Sequence, residues 1–143
     1  MILADFTVTV EFEKTPRAVR VIVYDSLKGL RIAATRYDNL TRSKKRKQRG
    51  AFSNTLGICH RFEWFNKEGD SHPDCAIVRL ARPYLGVGII SHELAHAAIW
   101  MHELARGKEP LTCVNDEPFV WVLGELVRQT VNSLNEFGVY NEN

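Results

Sequence analysis

His92, Glu93 and His96 stand together in the run His-Glu-Leu-Ala-His, inside an otherwise apolar stretch. On a helix turning about 100° per residue, His92 and His96 differ by only ~40° and lie one turn apart, so both imidazoles can reach a single metal ion. Glu93 is turned aside from them, which lets its carboxylate reach water beside the ion. Two ligands plus a general base is the division of labour that hydrolytic zinc sites require, and two imidazoles with a carboxylate suit Zn2+ among intracellular metals. Burying these three polar groups on an apolar helix is costly unless a metal compensates them.

A catalytic zinc commonly takes a third protein ligand and keeps one position open. The expected third ligand is Glu117, near the start of a later helix that would pack against the histidine-bearing one. His102, Glu125 and Asp116 are the alternatives. His102 has the spacing of the pattern H-E-x-x-H-x-x-G-x-x-H, but Ile99 replaces its glycine turn, so an uninterrupted helix points His102 ~80° away from His92. The chemistry that follows is hydrolysis of a peptide bond, with Glu93 activating the attacking water. Tyr84, Tyr140, His102 and Arg128 are chemically able to stabilise the oxyanion.

Several elements must position these groups. Phe6 to Phe12 alternates with period two and Ala18 to Tyr24 is rich in valine and isoleucine, with Lys14-Thr15-Pro16 as the turn of a hairpin. Leu27, Leu30, Ala33, Ala34, Tyr37 and Leu40 recur at helical spacing over 26–42, with Ser26 or Asp25 as the cap. Strands are expected over 56–65 and 75–81, separated by the Gly69-Asp70-Ser71-His72-Pro73-Asp74 loop. The strand Ala76-Ile77-Val78-Arg79-Leu80 could offer an edge to an extended peptide, or lie inside a sheet. A central, buried helix is predicted over 89–105, stopping at Gly107, and a final one from Asn115-Asp116-Glu117-Pro118 to Gly138. The reading is one α+β domain over residues 1–143, with about four mostly antiparallel strands against an active-site helix and a long C-terminal helix.

Composition narrows the function classes. Arg42, Lys44, Lys45, Arg46, Lys47 and Arg49 form an acid-free basic run, while the net charge of the chain is only +2. The protein is therefore not a general nucleic-acid binder, although an exposed segment at about 42–50 could contact phosphate or an acidic partner. Cys59, Cys75 and Cys113 form no C-x-x-C pair, and Gly86 with Gly88 lacks the rest of a phosphate loop. No secretion signal or stretch of ~20 apolar residues is visible, which points to a cytoplasmic protein without a membrane partner.

Over roughly 75–126, the strand, the His92-Glu93-Leu94-Ala95-His96 segment and the helix opening Glu117-Pro118-Phe119-Val120 resemble gluzincin-type metallopeptidases of the ImmA/IrrE family, many of them in phages and mobile elements. Pro118-Phe119 departs from the alanine-asparagine usual there. The resemblance implies a small zincin-like domain, zinc held by His92, His96 and Glu117, catalysis by Glu93, and a specific protein or peptide substrate. The 92–100 stretch is also similar to SprT-like proteases, but Arg106-Gly107-Lys108-Glu109 lacks their third histidine. The rival reading is a non-catalytic, zinc-braced module that binds nucleic acid or a host protein through the basic segment.

Overall fold

The computed structural model describes residues 1–41, 52 and 54–140. The basic run at 42–49 lies outside the described residues.

Strands β1 (Ile2–Phe12) and β2 (Thr15–Tyr24) form the expected antiparallel hairpin. Its turn is Glu13-Lys14, one residue earlier than the Lys14-Thr15-Pro16 reading. Both turn residues take positive φ, 48° and 70°, the backbone twist that a two-residue hairpin demands. Pro16 instead enters β2 opposite Glu11. Phe12 and Thr15 flank a two-residue turn as a hydrogen-bonded pair, so by alternation Glu11 and Pro16 are not bonded to each other and the missing proline N–H leaves no gap in that ladder.

Helix α1 (Leu27–Thr41) begins after Ser26, whose hydroxyl accepts a hydrogen bond from the Gly29 N–H at 3.1 Å. Strands β3 (Gly57–Arg61) and β4 (Asp74–Ala81) follow, then a short 3-10 turn at Arg82–Tyr84. Helices α2 (Val87–Arg106) and α3 (Glu117–Glu136) complete the fold. Gly107 takes a φ of 62° with a ψ of −133° just past α2, and Gly138 a φ of 70° past α3. At both places a β-carbon would be strained, so glycine suits the stop.

The sheet order is β1-β2-β4-β3, with β2 and β4 parallel and the two outer ladders antiparallel. This is an α+β domain with a mixed sheet. Strand β4 is interior: its Ala76, Val78 and Leu80 pack towards α2 and α3, while Ile77 and Ala81 pack under α1. The possibility that β4 offers an edge is thereby corrected, and the edge on that side is β3. Arg79 within β4 is 7% exposed, with its guanidinium bonded to the Tyr24 hydroxyl and the His60 ring and set over the Tyr37 ring.

Helix α2 is not wrapped on all sides, as the sequence suggested. It buries one face, Ile90, Glu93, Leu94, Ala97, Ala98, Met101 and His102, and leaves His92 and His96 exposed. That face shares one core with Val19, Val21, Val23, Val78 and Leu80 from the sheet and Val122, Leu126 and Leu134 from α3. Truncating a side chain as enclosed as Leu94 to alanine costs about 2–5 kcal/mol in such a core. The long apolar face thus anchors α2 rigidly while its histidines look outward over β3.

Candidate metal centre

The α2 turn carrying His92 and His96 sits over the edge strand β3, where Gly57, Ile58, Cys59, Arg61, His92, Glu93 and His96 line a depression of about 320 Å³. The two Nε2 atoms lie 3.3 Å apart, with the rings nearly perpendicular. Two nitrogens at zinc-ligand length, subtending a tetrahedral angle, are about 3.3–3.4 Å apart. The pair therefore fits two corners of a tetrahedral metal, and equally a hydrogen bond between neutral rings. Burial first, then the neighbouring His92 and Arg61, pulls the His96 pKa below the ordinary imidazole range, favouring the neutral form that ligates metal.

Glu93 occupies a different setting one residue along. Its side chain is 8% exposed, whereas that of His92 is 65% exposed, and an Oε1 lies 4.0 Å from His92 Nε2. Burial raises the carboxyl pKa and the neighbouring His92 lowers it by less. A carboxylate so placed holds protons more readily than one in water, which is the property of a general base. Gly57 makes room for it. A β-carbon there would meet Glu93 Cγ at 3.0 Å and Oε1 at 3.2 Å, closer than side chains normally approach.

The other expected ligands are placed elsewhere. Glu117 is exposed and lines a separate depression with Glu11, Glu13, Pro118, Trp121 and Val122. Glu13 in turn bonds Arg106, so this depression lies beside the end of α2, whereas His92 precedes that end by ~21 Å of helix. A short connection from Gly107 returns the chain next to where α2 stops, and it leaves Glu117 short of the histidines. Glu125 lines a larger depression with Thr9, Trp121 and Gln129, and its bonds to Arg128 and Gln129 hold its carboxyl near a pKa of about 2. Asp116 is the residue before α3 and caps it with no side-chain bond.

His102 is buried on the core-facing side of α2, where its Nε2 bonds the Glu109 carbonyl at 2.7 Å and its Nδ1 meets no partner among the described residues. Among the described residues, no group of three His, Cys, Asp or Glu side chains is arranged to hold a metal. Cys59 borders the histidines, and burial and the nearby Glu93 push its thiol up to about 12. None of Tyr84, Tyr140, His102 and Arg128 lines the depression.

Arg61 is the residue that sequence reasoning passed over. It lines the depression from β3, and its guanidinium lies 5.7 Å from the centre of the Trp100 ring. The signal was present in the spacing: His92, His96 and Trp100 recur every four residues and form one stripe along α2.

Comparison of the chain with family models, curated proteins and solved structures finds no match to any of them. Among the described residues no helix is long and apolar enough to cross a membrane.

Proposed function

We propose that the protein is a cytoplasmic, zinc-dependent peptidase of zincin-like type, acting on an extended segment of a specific protein. The observation that carries this reading is the pairing of two imidazole nitrogens 3.3 Å apart with a buried carboxylate one residue along the same helix.

His92 and His96 would hold the ion through Nε2. When bound, zinc lowers the pKa of water towards neutrality and polarises a carbonyl. Glu93 accepts a proton from the attacking water and delivers it to the departing amine, a transfer aided by the raised pKa of its buried carboxyl. Gly57 keeps that carboxylate free of crowding. The outer edge of β3 runs beside these groups and would pair with the substrate backbone, holding the bond to be cut in place.

The exposure of His92 argues against a purely structural zinc, which is normally closed by four protein ligands. The likeness to ImmA/IrrE metallopeptidases belongs to the same proposal, without its third ligand: Glu117 does not join the pair in this arrangement. The test is elemental analysis and peptide hydrolysis on the native chain, His92→Ala and Glu93→Gln. The reading expects about one zinc per chain in the native protein and in Glu93→Gln, hydrolysis only in the native protein, and neither in His92→Ala. Native protein that takes up no zinc on reconstitution, or Glu93→Gln that remains as active as native, would overturn it.

A further inference from the structure

We infer that Arg61 is a specificity residue that recognises a carboxylate on the bound peptide about two residues from the bond to be cut; this rests on the peptidase reading above. The backbone of β3 supplies the first part of the geometry. The Phe62 N–H bonds the Cys75 carbonyl in continuation of the β3–β4 register. By the alternation of antiparallel ladders, His60 and Ile58 then also bond inward to β4. Gly57, Cys59 and Arg61 turn their N–H and C=O groups to the outer edge, which no strand among the described residues pairs and where an added peptide strand would pair with them.

The side chains supply the second part. On β3, Cys59 to Arg61 spans about 6.8 Å, and on α2, His96 to Trp100 spans about 6 Å. The two elements therefore keep step: Cys59 lies at the level of the histidines and Arg61 at the level of Trp100. The Trp100 indole is fixed by its N–H bond to the Phe62 carbonyl at 2.9 Å, and the Arg61 guanidinium rests over its ring. Among the described residues, no carboxylate pairs with that guanidinium. Arg61 is exposed, oriented and borders the same depression as Glu93, His92 and His96. A cation held this way at the substrate edge is complementary to an acidic side chain, or to a free C-terminus, two residues from the hydrolysed bond.

The test uses the full chain loaded with zinc and carrying Glu93→Gln, so that peptides bind without being cut. The probes are acetylated, amidated octapeptides with Glu, Gln or Lys scanned through each position, and a matching set with free C-termini. Fluorescence anisotropy should give Glu peptides binding about fivefold more tightly than Gln peptides at one position. Arg61→Gln should erase that preference and Arg61→Glu should transfer it to Lys. A preference confined to the unblocked set would assign the carboxylate to a C-terminus, and one present in the blocked set to a side chain. An unchanged preference in Arg61→Gln, or no preference in the parent, overturns the inference. The same peptides given to the native chain separate the two readings. Cutting without acidic preference sinks the role of Arg61 alone, whereas charge-selective binding without cutting sinks the peptidase reading and leaves Arg61 only as a carboxylate-binding residue at the β3 edge.

Discussion

Strands β1 and β3 end the same sheet on its two sides, yet their outward backbone groups meet different fates. At β1 the Gln129 amide of α3 takes both Thr9 groups, accepting from its N–H at 3.3 Å and donating to its carbonyl at 2.9 Å. Around that edge two acids are also paired, Glu13 with Arg106 and Glu125 with Arg128. At β3 the neighbours are instead two exposed imidazoles, a buried carboxylate and a cation resting on an indole. An unpaired edge invites association with any extended chain, so proteins usually cover it. Here one edge is bonded at Thr9 by α3, and the one that no described strand pairs lies beside the groups able to do chemistry.

Substitutions can break this contrast from either side. The largest effect is expected at β3: Glu93→Gln should lower peptide hydrolysis by about 10²–10⁴-fold at unchanged zinc content, the usual yield of a general base. Gly57→Ala follows, because its new methyl pushes Glu93 off its position. It should cost about 1–3 kcal/mol in urea unfolding, as overpacking does, together with a loss of hydrolysis. On the other edge, Gln129→Ala removes two hydrogen bonds from Thr9. About 1–2 kcal/mol of stability should be lost, with zinc and hydrolysis untouched and a rise in self-association by sedimentation. The smallest effect sharpens the contrast: Glu117→Ala, in the covered region, should leave the zinc content as it is.

A pH titration tests the support beneath the β3 edge. His60 accepts a hydrogen bond from Arg79 Nε, and burial, then the Arg79 charge, lowers its pKa to about 4. Between pH 6.5 and about 4 the unfolded chain binds a proton at this site that the folded chain refuses, so stability falls as the pH drops through that window. Thermal unfolding of native protein and His60→Gln should converge in their pH dependence below about 4 and differ most in slope between 4 and 6.5. Equal slopes in that window would remove His60 from the account.

Much of the frame was legible in the sequence because periodicity reports local structure directly. The three-and-four spacing of α1 and the Ser26 cap appear where the pattern put them, and β1 contains the alternation read from Phe6 to Phe12 but starts earlier, at Ile2. The His92-Glu93-His96 arrangement was legible for the same reason, being internal to one helix. Edge and interior positions stayed open for β4 because what decides them lies elsewhere in the chain: the partners of Arg79, Tyr24 and His60, come from two other strands. The Glu117 expectation depended on where one helix meets another, which spacing along the chain does not encode. Arg61 escaped notice because its meaning lies across a gap of sequence, in Trp100.

The parallel pairing of β2 with β4 joins residues more than fifty positions apart, from Ala18 with Asp74 to Tyr24 with Ala81. Closing so long a loop is slow compared with forming a hairpin or packing two successive helices. The β1–β2 ribbon and the α2–α3 pair can therefore form early as separate local units, with β3 and its neighbours docking when the central ladder zips. Substitutions in that ladder, far from any reactive group, would then set the rate at which newly made chains become competent.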